Sequence, residues 1–259
     1  MFVLGLLLAV FVGVTLGLVG SGGSILTVPI FVYIFGVDPA LATAYSLFAI
    51  GTTSIIGGVK GFWNHTVDMD KLIKFGLPSM VAVFVTRKYV VPLIPDEFHI
   101  WGFIISQEVV LMVSFAVLML FAAYAMFHEV NIPAQNFPLF SVVLKGIMVG
   151  CVTGIVGAGG GFLIIPALTS FFRLSMKKAV ATSLVLISIN SMLGLAGDWR
   201  RIDQFDWNLL LTYTILTVVG IFIGFFLSNK IEGKRLKRVF AVGIMIVAAF
   251  VLLKEFGII

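Results

Sequence analysis

The chain has 259 residues, of which 60% are hydrophobic and 11% charged, with a mean hydropathy of +1.16. A soluble domain carries about 25% charged residues and about half apolar ones, so these figures exclude a water-soluble protein and define an integral membrane protein. The formal charge of +5 does not point to nucleic acid, because the basic residues sit in short loops between apolar runs, where membrane topology accounts for them. The lone cysteine, Cys151, cannot form a disulfide within the chain.

In chain order, residues 2–19 are the first apolar run. No basic segment precedes it and no small-residue cleavage site follows it, so it reads as a retained membrane helix. A glycine-rich break follows, then a short run, 24–36. Longer runs cover 40–59, 72–92 and 101–127. The stretch 129–138 contains Pro133 and Pro138, which stop the preceding helix. It supplies a linker, 131–138, between a first half, 1–130, and a second half, 139–259. The second half holds runs at 139–157, 178–197, 207–227 and 237–256, with a short run at 161–172 after its own glycine break.

A spanning helix needs about 20 apolar residues, and eight of these runs are near that length or above it. The two short runs reach roughly 20 Å at ~1.5 Å per residue, less than the ~30 Å hydrocarbon core. The expected fold is an all-α polytopic membrane protein of two homologous halves, with about eight full transmembrane helices and two short or broken ones.

The halves are related by a gap-free match at an offset of 137 residues. Gly13, Gly17, Gly20, Gly22, Gly23 and Pro29 recur as Gly150, Gly154, Gly157, Gly159, Gly160 and Pro166. Ala42, Ala44, Ser46, Leu47, Ser54 and Gly57 recur as Ala179, Ala181, Ser183, Leu184, Ser191 and Gly194. Matching interrupted apolar segments in two halves are the sequence mark of a transporter with its site at the repeat interface. Four crossings per half give parallel repeats and five give inverted ones. The strongest basic cluster, from Lys230 to Arg238, is expected on the cytoplasmic side. That places ten of seventeen Lys/Arg in the cytoplasm with eight crossings and twelve of seventeen with ten, so charge leaves both layouts open.

Irregular backbone at membrane depth is tolerated only where protein buries it or water reaches it. The breaks free backbone N–H groups at the start of each short helix, and the helix dipole adds about half a positive charge there. Glycine lets a ligand approach without a Cβ in the way. The expected product is an anion site built without a buried lysine, lined by Ser21, Gly22, Gly23 and Ser24 in one half and by Ala158, Gly159, Gly160 and Gly161 in the other. Gly13, Gly17, Gly150 and Gly154 read instead as small-residue helix-packing positions. Hydroxyl and amide groups on the next helix of each half, notably Ser46, Ser183 and Asn190, suit a passing oxyanion; the bland reading is interhelical hydrogen bonding. Lys60 and Arg200 are candidates for an entrance or gate, or for interface anchors. Glu108, a carboxylate inside an apolar run, is a candidate for proton coupling.

His65, His99 and His128 fall in loops or at helix ends, with no Cys, Asp or Glu at metal-ligand spacing. No nucleophile elbow or zinc-protease motif occurs, so enzyme activity has no positive support. Neither a metal nor a cofactor is expected.

The two motifs G-x3-G-x2-G-x-G-G, each followed by an Ala-Thr/Ser-Ser-Leu helix, resemble the TauE/SafE family of sulfite and organosulfonate transporters. The resemblance covers the chain in layout and about a third of it in motif. It implies secondary transport of small sulfur-containing anions, such as sulfite or sulfoacetate, across the bacterial inner membrane. The first motif ends Gly-Gly-Ser where the second has Gly-Gly-Gly, so two equivalent half-sites are not expected. The expected partners are the anion, membrane lipid, a coupling proton or cation, and a second copy of the chain in a homodimer, with no nucleic acid. A passive anion channel, a carboxylate carrier and a non-transporting scaffold are the alternative readings.

Overall fold

The computed structural model describes residues 1–20, 23–95, 97–100, 103–127, 138–157, 159–228 and 233–257. Ser21, Gly22, Ala158, His128 and residues 131–137 of the expected linker lie outside the described residues, as do the side chains of His99 and Arg200 and the basic cluster Lys230 to Arg238. The described residues form ten α-helices: α1 (Phe2–Val19), α2 (Ser24–Tyr33), α3 (Pro39–Trp63), α4 (Met69–Val85), α5 (Gln107–Phe127), α6 (Leu139–Val156), α7 (Gly161–Pro166), α8 (Met176–Gly197), α9 (Trp207–Ser228) and α10 (Gly233–Glu255). Among the described residues six of them, α1, α3, α5, α6, α8 and α9, are long and apolar enough to cross a membrane.

Two of the expected runs take a different form, for local reasons. The run 72–92 is not one helix: α4 ends at Val85 and continues as a π-helical turn, Thr86–Val90, and a 3-10 turn, Val91–Leu93. The run 101–127 does not start a helix, because Phe103–Ser106 pairs antiparallel with Glu97–Ile100 in a short hairpin. That segment is rich in β-branched and aromatic residues, which suit a strand. α10 lies outside the count of six, which covers the described residues alone.

Helix boundaries follow from capping chemistry. Asp38 precedes Pro39 and accepts the Leu41 N–H at 3.0 Å, which starts α3; Asp68 accepts the Lys71 N–H at 3.0 Å, which starts α4. The outward faces are apolar. Val81, Phe121, Met148, Ile215 and Phe222 are each more than half exposed, as fits side chains solvated by lipid tails.

The packing has a two-fold pattern. α1 lies along α9 and α6 lies along α4, in parallel. Gly13 and Gly17 touch α9 at Thr217, Gly220, Ile221 and Gly224, and Gly150 and Gly154 touch α4 at Ser79, Ala82, Val83 and Thr86. These four glycines let backbones approach closely, as their small-residue spacing predicts. Hydrogen bonds repeat the pattern. Thr53 Oγ1 bonds to Thr217 Oγ1 at 2.8 Å, and its counterpart Asn190 donates Nδ2–H to Ser79 Oγ at 3.0 Å. Tyr45 OH accepts the Asp206 N–H, and Thr182 Oγ1 accepts the Asp68 N–H at 2.9 Å.

At the centre α3 packs on α8, its own counterpart. Leu47 meets Gly194, Gly51 meets Ser191 and Met192, Gly57 meets Leu184, and Gly61 meets Ala181. As α3 advances, α8 recedes, so the equivalent helices run antiparallel. The halves are therefore inverted, the arrangement that five elements per half produce. The two short helices, α2 and α7, touch each other beside this pair.

Candidate functional site

Both glycine breaks begin the same way. α1 stops on Gly20 (φ 82°) and α6 on Gly157 (φ 70°), left-handed conformations that glycine adopts at little cost. Then they diverge. Gly23 opens α2 in the right-handed region, whereas Gly159 and Gly160 are both left-handed before α7. α2 is a ten-residue helix, but α7 has six residues and passes into a π-helical turn, Ala167–Phe171. The two short segments are therefore not matching half-helices.

Each break packs on the central helix of the opposite half. Gly20 lies against Val180 on α8. Its counterpart Gly157 lies against Thr43 on α3, and Gly159 lies against Ser191 and Ile187 on α8 and Ile50 on α3. The second break thus sits on the α3–α8 crossing. Ser24 and Gly161, the first residues of α2 and α7, are buried. Ser46 and Ser183 are fully buried, one turn beyond Thr43 and Val180. Ser183 Oγ donates to the Val180 carbonyl at 2.8 Å, while Ser46 Oγ has no partner among the described residues. Ser54 Oγ, Ser191 Oγ and Asn190 Oδ1 are also buried and unpartnered there. Buried polar atoms are nearly always satisfied, which makes these groups on α3 and α8 candidates for binding a polar ligand.

The remaining candidates lie elsewhere. Lys60 is exposed, with its Nζ 3.8 Å from the centre of the Phe225 ring. Glu108 is in the first turn of α5, exposed and facing Asp38 and Glu255, not deep in a span. Arg200 lies in the 3-10 turn Trp199–Gln204.

The sequence reading missed Arg87. The π turn after α4 carries this side chain inward until it is 1% exposed. Its Nη1 donates to Thr43 Oγ1 at 3.0 Å and to Asp198 Oδ2 at 3.2 Å. Asp198, just past the end of α8, also accepts Arg201 Nε–H through Oδ1 at 3.2 Å. Burial holds the Asp198 carboxyl above its ordinary range despite the two arginines. Arg87 Nε and Nη2 have no hydrogen-bond partner among the described residues. Nη2 rests on Gly157, where a Cβ would overlap it, and the Arg87 stem passes Gly197. A small crevice between α3, α5 and α6, lined by Pro39, Thr43, Met112, Phe115 and Val156, ends on the same threonine. A signal for Arg87 existed: it lies within the apolar run 72–92, and an ionisable residue in such a run is a functional candidate by default.

Inverted halves, central antiparallel helices and breaks that cross from one half to the other define a multi-pass helical membrane transporter. The chain belongs to the sulfite exporter TauE/SafE family, whose model matches residues 5–251. It is 26% identical over 256 residues to a "probable membrane transporter protein" of Xylella fastidiosa, covering 95% of this chain and 93% of that protein. A similarly described protein of Bacillus subtilis is 26% identical over 252 residues, covering 90% and 89%. One from Methanocaldococcus jannaschii is 34% identical over 113 residues, 41% of each chain. No solved structure matches the chain.

Proposed function

We propose that this protein is a secondary transporter of small sulfur-containing anions, such as sulfite or sulfoacetate, working by alternating access in the bacterial inner membrane. One observation carries the reading: the second glycine break meets the antiparallel α3–α8 pair with Gly159 against Ser191, whose Oγ is unpartnered among the described residues, on two helices that also carry the unpartnered polar atoms of Ser46, Ser54 and Asn190. Hydroxyl donors in a dry interior bind an oxyanion by hydrogen bonds, and glycine removes the side chains that would fill its place. Family membership favours sulfur oxyanions over carboxylates of the same size.

Inversion supplies the route for alternation. When equivalent halves point in opposite directions, exchanging their conformations converts a site open to one side into a site open to the other. The α3–α8 crossing, where each helix meets its own counterpart, is the natural pivot. The experiment is counterflow in proteoliposomes loaded with unlabelled sulfite and diluted into a trace of [35S]sulfite. A carrier transiently accumulates label, and the reading predicts that sulfite and sulfoacetate drive this where acetate does not. Simple equilibration of label indicates a channel and contradicts the carrier reading. Equal counterflow with acetate contradicts the substrate class.

A further inference from the structure

We propose that Arg87 is the anion-binding cation of this transporter, gripping an oxyanion through its Nε and Nη2 edge while Thr43 and Asp198 hold Nη1. This rests on the transport reading and names the residue that gives its site a charge. A guanidinium has two edges that can each engage two oxygens. Thr43 and Asp198 occupy Nη1, on the far end of the group. The Nε and Nη2 hydrogens point together along the remaining edge, and neither has a partner, although the residue is 99% buried by its 1% exposure. An isolated buried charge is costly, and a purely structural arginine at this depth would be expected to satisfy every donor. Here one edge is tied down and the other is left ready.

The surroundings fit that use. Nη2 is against Gly157, in the break already placed at the α3–α8 crossing, and Gly197 clears the stem. Asp198 and Arg201 are the charged groups beside Arg87, and one carboxylate between two arginines leaves a net positive centre. The π turn that turns Arg87 inward has no counterpart in α9, which runs unbroken from Trp207 to Ser228. In the two-fold packing Ser79 matches Thr217 and Thr86 matches Gly224, which puts Phe225 opposite Arg87. Val180 stands opposite Thr43 and Gly61 opposite Asp198. The scaffold is duplicated and the charge is not, so each chain binds one oxyanion. The ligand class is a centre with two or three oxygens on one face, as in sulfite or a sulfonate head.

The test measures sulfite and chloride binding to the purified full-length protein, wild type against Arg87→Lys. Lysine keeps the charge and loses the two-donor edge. Sulfite affinity is expected to fall about tenfold or more while chloride affinity stays within about twofold. Wild-type sulfite affinity in a folded Arg87→Lys variant overturns the proposal, as does an equal loss for both ions. If Arg87→Lys does not fold, Arg87→Met with Asp198→Asn removes the buried pair together, and sulfite binding by that variant overturns it as well. In the wild type, sulfite is expected to shift the Arg87 15Nε–1H resonance, and no shift at saturating sulfite counts against the proposal. Failed counterflow in a wild type that still binds sulfite at Arg87 would remove the carrier reading and leave this assignment standing.

Discussion

The two glycine breaks share a sequence and a scaffold but not a chemistry. Gly20 and Gly157 stop equivalent helices in the same left-handed conformation and press on equivalent positions of the opposite half. At the first break that position is Val180, an apolar surface. At the second it is Thr43, hydrogen-bonded to a buried arginine that is itself paired with Asp198. Duplication set the frame, including the mirrored Thr53–Thr217 and Asn190–Ser79 bonds. Among the described residues, divergence then placed a buried arginine beside the second break, where Phe225 occupies the matching position of the first half-site. A transporter that alternates between two sides needs symmetric mechanics, but a single anion needs only one centre of charge.

The comparison can be broken or sharpened in four ways. The largest effect expected is all-or-none. In a Cys151→Ala background, His65→Cys and Asp203→Cys mark the exposed ends of the equivalent helices α3 and α8. Inverted halves put them on opposite sides, so an impermeant thiol reagent should label only one from outside the cell. Labelling of both or neither from outside would contradict the inversion.

Next is Gly157→Ala. A Cβ there overlaps Thr43 and Arg87 Nη2 in a left-handed conformation. The conformational cost of about 1–2 kcal/mol and the overpacking cost of about 1–3 kcal/mol add to a loss of about 2–5 kcal/mol. Gly20→Ala pays the same conformational cost and a smaller overlap, with Val180 Cγ1 and the Cα and Cβ behind it, so a loss of about 2–3 kcal/mol, at the low end of the same ranges, is expected. Unfolding free energies of the two variants measured in the same detergent check the difference; equal losses would mean the breaks are equally crowded. The smallest effect belongs to the mirrored bonds. Thr217→Val and Ser79→Ala should each cost on the order of 0.6 kcal/mol, the average for interhelical hydrogen bonds in a membrane. A loss several times larger at Ser79 alone would show that the Asn190 contact does more than its mirror.

Much of this was legible in the residues. The ends of α1 and α6 coincide with the last residues before the breaks, because Gly20 and Gly157 provide the left-handed stop. The starts of α3 and α4 are set by the side-chain caps of Asp38 and Asp68, which the hydropathy runs do not show. Hydropathy could not mark the end of α4, since a π turn built from Thr86 to Val90 keeps the apolar run going while changing the direction of its side chains. Nor could it separate the hairpin strand Phe103–Ser106 from the helix that follows, because both are apolar. Loop charge left the orientation open, whereas the antiparallel contacts of α3 and α8 define it.

Ser46 and Ser183 were readable as candidates from their matching repeat positions, and both are buried. Arg87 stands next to Lys88 near the end of the apolar run 72–92, outside the repeat motifs. Its significance depends on Thr43 and Asp198, which are 44 and 111 residues away in sequence. No local pattern announces a partner supplied by the other half. The sequence points to an anion site built without a buried lysine; the structure adds the buried guanidinium of Arg87, from the π turn after α4, beside the second break.

The central claim is that two near-identical breaks make one anion site, and binding stoichiometry tests it most directly. Titration calorimetry of sulfite into the purified protein should give one equivalent bound per chain. Two equivalents of similar affinity would mean that the uncharged first break binds as well as the second, and would contradict the account.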